Sequence, residues 1–140
     1  MKYLLVEKDK IVSNINLIRE KAGESELIAV LKANAYGLGL KEIYPVLREC
    51  GVRKLAVTEP EDALKLRSIG AEDEEILVLR STACPEDIKK ILDSCATATI
   101  GSYDAAVALN GMAENEGLSC DVHIKIDTGM GRYGFEPSET

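Results

Sequence analysis

The chain has 140 residues, 46% of them apolar, and a formal net charge of −7; that suffices for one folded domain with its own core and argues against disorder. An acidic balance with no block of Lys or Arg excludes nucleic acid and anionic membrane surfaces as expected partners, since both would be repelled. No apolar run approaches a membrane span, and Met1-Lys2-Tyr3-Leu4-Leu5-Val6-Glu7 lacks the apolar core and cleavage site of a signal peptide, so the expected location is the cytoplasm.

Residues 3–6 are a short strand candidate. A helix over about 9–21 follows, with Ile11, Val12, Ile15 and Ile18 on one face and Gly23 closing it. Residues 27–31 form an apolar run that reads as a buried strand ending on Lys32. After a small-residue loop comes a helix over about 40–50, with Ile43, Val46 and Leu47 inward and Gly51 as its stop. A buried strand over 55–57 leads into a helix whose early Pro60 and acids Glu61 and Asp62 suit a helix start; Ala63, Leu64, Leu66 and Ile69 precede Gly70. The unit repeats with a strand over 76–79, a helix opening at Pro85-Glu86-Asp87 and carrying Ile88, Ile91 and Leu92, and a strand over 96–100. A helix over about 103–115 ends at Gly117, and the last strand covers 122–126.

Short apolar strands alternating with amphipathic helices, closed by glycines at 23, 51, 70 and 117, are the pattern of consecutive right-handed βαβ units on a parallel sheet. Beyond the short candidate at 3–6, five strands and their helices fit one α/β domain, with no linker composition and no strict repeat. The pattern leaves a doubly wound sheet and a barrel both open. No G-x-G-x-x-G follows the first strand, which disfavours a dinucleotide site, and 140 residues are too few for a whole (β/α)8 barrel, which needs about 200 or more.

Cys50, Cys84, Cys95 and Cys120 are widely spaced with no C-x-x-C pair, and His123 is the single histidine, so the sequence offers no metal-ligand set and the thiols are expected to be reduced. No serine sits in a nucleophile-elbow pattern.

Two stretches carry chemistry. In Ala29-Val30-Leu31-Lys32-Ala33-Asn34-Ala35-Tyr36-Gly37-Leu38-Gly39 a primary amine stands at the carboxyl end of a strand, where parallel sheets place their reactive groups. Burial would favour its neutral form, as a Schiff-base former requires. The loop beyond could turn backbone N–H groups, the Tyr36 hydroxyl and a helix start toward a phosphate. A solvated edge lysine is the plainer reading. In Val122-His123-Ile124-Lys125-Ile126-Asp127, Val122, Ile124 and Ile126 share one face and His123, Lys125 and Asp127 the other. In a barrel the polar face would point inward, where charges need partners; an antiparallel edge strand with one wet face explains the alternation as well. The glycine-rich run Thr128 to Phe135 could aim Arg132 over the strand end, and an arginine there suits a carboxylate through its bidentate fork.

Ala29 to Gly39 resembles the lysine motif of the alanine racemases, Ala-Val-x-Lys-Ala-Asn-Ala-Tyr-Gly-His-Gly, with Leu38 where that family usually has histidine. Lys125 to Phe135 resembles a second motif of the same family, Lys-x-Asp-Thr-Gly-Met-x-Arg-x-Gly. The resemblance covers essentially the whole chain and implies a partial TIM (β/α)8 barrel of about five parallel strands, residues 1–140 being the N-terminal part of a pyridoxal phosphate-binding barrel domain with the C-terminal remainder absent.

It further implies that Lys32 holds pyridoxal phosphate through its amine and serves as acid or base on one face of the substrate Cα. Tyr36 would help hold the phosphate. Arg132 would contact the substrate carboxylate and steady the opposite-face tyrosine, and Lys125 matches a position often carbamylated. The activity implied for the intact protein is interconversion of L- and D-alanine for peptidoglycan, in a cytoplasmic homodimer. The family's second base is a tyrosine of a later β-rich domain of the partner subunit, so the isolated chain is expected to be inactive and to self-associate through open barrel edges. The alternatives are a non-catalytic pyridoxal phosphate carrier and an oligomerising α/β module without cofactor.

Overall fold

A computed structural model describes residues 3–139. Helix α1 (Lys8–Ala22) comes first, then strand β1 (Ile28–Val30), a single turn α2 (Lys32–Tyr36), helix α3 (Leu40–Glu49), strand β2 (Lys54–Val57) and helix α4 (Pro60–Ser68). Strand β3 (Glu75–Val78), helix α5 (Pro85–Asp93), strand β4 (Thr97–Ile100), helix α6 (Tyr103–Glu116) and strand β5 (Val122–Ile124) follow, with a short 3-10 turn at Pro137–Glu139. The five strands form one parallel sheet in the order β1-β2-β3-β4-β5. Each strand pairs with the next in sequence, so the sheet advances in one direction, as in the first part of a barrel.

Local chemistry sets the boundaries. Pro60 and Pro85 open α4 and α5 with acids in the first turn, and the Ser102 hydroxyl accepts from Ala105 N at 3.3 Å at the start of α6. All four glycines expected to close helices have positive φ. Pro45 sits inside α3, but on its exposed face, where the carbonyl left without a donor meets water.

The core lies between the outer face of the sheet and the helices. Leu55 and Val57, Ile76 and Val78, and Ala98 and Ile100 alternate onto that face and meet Ile43, Leu47, Leu66, Ile88, Ile91 and Leu109. Central strands are buried on both faces, so β2, β3 and β4 read as continuous apolar or small-residue runs.

The edges depart from expectation. Residues 3–6 are not a strand: they have no ladder partner, and Leu4 and Leu5 lie exposed. Strand β1 is three residues long and is not buried, with Ile28 44% and Val30 38% exposed: among the described residues no strand stands beyond it. In β5 the register aligns Val122 with Ala98 and Ile124 with Ile100, the helix-facing side that the alternation indicated. Yet Ile124 is 65% exposed, since no helix covers it. A groove of about 690 Å³ between Val122 and Leu109, Ala113 and Leu118 runs along the uncovered side of α6.

Candidate active site

Because every strand is parallel, Lys32 after β1 and Arg132 after β5 share the carboxyl rim of the sheet. The strand order sets β2, β3 and β4 between them, so the two side chains stand at opposite edges of one rim.

The lysine leads into an unusual backbone. Ala33, Asn34, Ala35 and Tyr36 have φ of 51°, 54°, 55° and 54°, so α2 is wound left-handed. For L-residues that conformation costs roughly 1–2 kcal/mol each, and it persists only where surroundings impose it. Ala35 is buried and its N–H donates to Leu31 O at 3.0 Å; Gly39 N donates to Asn34 O at 3.0 Å. The Asn34 side chain accepts from Leu40 N at 3.0 Å, tying the turn to the first residue of α3. One N–H of that helix start is therefore already occupied, and the expected use of its N–H groups for a phosphate does not extend to Leu40 N. The turn brings the Tyr36 ring to 5.7 Å from Lys32 Nζ, and among the described residues the Lys32 amine has no carboxylate within ion-pair distance. Lys32 is half-buried rather than enclosed.

At the other edge, Asp127 N donates to Phe135 O at 2.8 Å and Phe135 N to Lys125 O at 2.9 Å, closing a loop. Asp127 Oδ1 accepts from Gly129 N at 2.9 Å. Hydrogen bonds from Gly129 and Gly131 hold its carboxyl below the usual range. Lys125 is half-buried and donates to Ile126 O at 2.8 Å. The expected charged network is thus mainly a backbone one. Lys125 Nζ stands 5.8 Å and Arg132 Cζ 5.6 Å from the centroid of the Tyr133 ring. Arg132 is exposed.

Sequence reasoning passed over three residues that organise this rim. Tyr133 donates its hydroxyl to Leu79 O, Asn34 locks the left-handed turn, and Ser81 Oγ accepts from Gly101 N at 2.9 Å. An aromatic residue inside a glycine-rich loop was the one available signal.

The donor set fits pyridoxal phosphate: an amine without a carboxylate partner, a tyrosine hydroxyl one turn away, and an arginine free for a carboxylate, all on the end of the sheet that parallel α/β folds use.

Residues 6–140 match the family described as alanine racemase, N-terminal domain. Alanine racemase 1 of Clostridium acetobutylicum is 37% identical over 134 residues, 96% of this chain and 34% of that protein. The alanine racemase of Desulforamulus reducens is 36% identical over 135 residues, with 36% of its length matched. This chain thus spans about a third of the length of the curated relatives it matches. Among solved structures, alanine racemase of Clostridium difficile superposes with a TM-score of 0.84 at 35% identity, over 92% of this chain and 34% of that one. A histidine racemase from Leuconostoc mesenteroides gives 0.85 at 29%, over 94% and 35%. The alanine racemase of Bartonella henselae, which carries covalently bound pyridoxal phosphate, gives 0.83 at 27%, over 96% and 37%.

Proposed function

The chain belongs to the family described as alanine racemase, N-terminal domain, and from that premise we propose that it supplies the cofactor-holding part of a pyridoxal phosphate-dependent amino-acid racemase. The observation that carries this reading is the unpaired Lys32 amine at the carboxyl end of β1, with the Tyr36 ring 5.7 Å away across a left-handed turn.

When bound, pyridoxal phosphate draws electron density from the substrate Cα–H bond. Lys32 would hold the cofactor through its amine, and its amine would hold or take a proton on one face of the substrate Cα. Tyr36 offers its hydroxyl to the phosphate. Arg132 offers a planar fork to the substrate carboxylate. Lys125, in carbamate form, would set an anion beside that guanidinium; the resemblance alone supports this, and intact-mass measurement under bicarbonate checks it as the gain of one carbon dioxide.

Alanine is the substrate we assign, supported by the relatives described as alanine racemases; one structural neighbour is described as a histidine racemase. A cytoplasmic homodimer feeding D-alanine to peptidoglycan completes the proposal. No helix among the described residues is long and apolar enough to cross a membrane. The second acid or base, on the opposite face, is assigned to a region that these 140 residues do not match, so the 140-residue polypeptide alone is proposed to hold cofactor without racemising.

Mixing the chain with pyridoxal phosphate tests the first step. A visible absorption band is expected, absent in Lys32→Ala, and borohydride reduction should leave the cofactor's mass on the peptide containing residue 32. No band and no labelled peptide would favour a cofactor-free α/β module instead.

A further inference from the structure

We propose that Tyr133 is a positioning residue for this rim: its ring fixes where Arg132 stands and so where the substrate carboxylate is taken. The proposal rests on the assignment of Arg132 to that carboxylate. Position 133 falls on an unspecified place in the second racemase-like motif, so the resemblance gives it no role.

The argument begins with what holds the ring. The Tyr133 hydroxyl donates to Leu79 O, just past the end of β3, while the residue itself belongs to the loop after β5. The ring therefore reaches over the end of β4. Gly101 makes room for it: a Cβ at that position would lie 2.9 Å from Tyr133 Cδ2 and 3.2 Å from Ser81 Cβ. Ser81 fixes Gly101 in turn through the bond from Gly101 N. The base of the loop is held separately. At Gly134, with φ of 126°, a Cβ would meet Lys125 O and Asp127 N at 2.9 Å, so the backbone there closes on itself with no space to spare.

Arg132 lies in the loop between Asp127, at that base, and the seated Tyr133 ring. Its side chain is exposed, and among the described residues it has no carboxylate within ion-pair distance. What it has is the tyrosine ring, 5.6 Å from Cζ. An exposed cation on an aromatic face gains about 0.5–1 kcal/mol, and an arginine held in one arrangement before binding loses less freedom when a carboxylate arrives. Lys125, 5.8 Å from the same ring, is oriented by it as well, with Ile126 O as its second anchor. An aliphatic side chain at 133 could fill the space but would supply neither the tether to Leu79 nor the ring.

Isotope-edited NMR of the whole chain, without cofactor, is the primary test. Shielding by the ring is expected to move the Arg132 δ-methylene protons upfield in the wild type. Tyr133→Leu should return them to the unstructured position, and Tyr133→Phe, which keeps the ring but loses the tether, should retain only part of the shift. Identical Arg132 resonances in wild type and Tyr133→Leu would overturn the proposal. If the leucine variant does not fold, Gly101→Ala, which pushes the ring from its seat, decides in its place: an unmoved Arg132 signal overturns the proposal. In a second arm, the chain loaded with pyridoxal phosphate is titrated with L-alanine. Tyr133→Leu should weaken L-alanine binding about two- to fivefold with cofactor affinity unchanged, whereas a purely structural role would lower Tm and leave L-alanine affinity alone. Absence of a cofactor band in the wild type would sink the Lys32 assignment and leave the NMR arm standing, so the two failures are distinguishable.

Discussion

The two ends of the parallel sheet are built on opposite rules. At the amino rim nearly every polar group is matched. The Glu74 side chain is fully buried, paired with Arg53 at 3.0 Å and accepting from the Tyr44 hydroxyl at 3.0 Å, with Arg48 at 3.8 Å. Arg67, at the end of α4, spends its guanidinium on the carbonyls of Ala71, Glu74, Ser94 and Cys95, stitching the loops before β3 and β4 together. At the carboxyl rim residues 33–36 are left-handed, the loop after β5 is glycine-rich, and Lys32 and Arg132 each stand beside a tyrosine ring, with no carboxylate in ion-pair distance among the described residues. The amino end is closed by these pairs; at the carboxyl end Arg80 is paired as well, with Glu59 and Asp87 at 2.9 Å, while among the described residues Lys32 and Arg132 stand outside any such pair.

Substitutions that exchange the two behaviours would break that contrast. The largest loss of stability is expected from Arg67→Ala, which strips donors from several carbonyls at once: about 3 kcal/mol, read from denaturant unfolding. Glu74→Gln should follow at about 2 kcal/mol, moderated because Arg53 and Arg48 can turn to water. Asn34→Ala, removing the tie between the left-handed turn and α3, should cost about 1 kcal/mol and weaken pyridoxal phosphate binding, with Asn34→Asp restoring both because the acceptor is kept.

Burial and the bond to Glu74 raise the Tyr44 pKa. A raised acid contributes stability that is intact below its unfolded value and fades as pH climbs through it, so melting temperature should fall above about pH 10, and less so in Tyr44→Phe. Smallest of all, Lys32→Ala should change stability by no more than about 0.5 kcal/mol while abolishing the cofactor band. A large destabilisation there would erase the distinction between the two rims.

Much of this was visible beforehand, and the exceptions have physical causes. The five strands, the helices and their glycine ends follow from periodicity and turn chemistry, both local. What escaped was tertiary. Residues 3–6 carry the apolar, β-branched composition of a strand, but a strand exists only beside a partner. Ile28 and Val30 sit in an apolar run that reads as buried, and Ile124 alternates onto the helix-facing side, yet their exposure depends on neighbours that a pattern cannot supply. The left-handed turn is written in Ala, Asn, Ala and Tyr, of which asparagine alone commonly visits that region, so nothing short of the packed structure announces it. Both racemase-like motifs marked Lys32 and Arg132, yet the positions that hold them, Asn34 and Tyr133, act through a cap and a ring contact that depend on how distant segments converge.

The turn after Lys32 has one more consequence. Its φ values are those that D-residues adopt at ease, so chemically assembled chains with D-alanine at 33 and 35 should fold with less backbone strain than the natural one, by about 1 kcal/mol or more per exchange. A backbone that reverses hand just after Lys32 can thus be probed with the mirror-image amino acid itself.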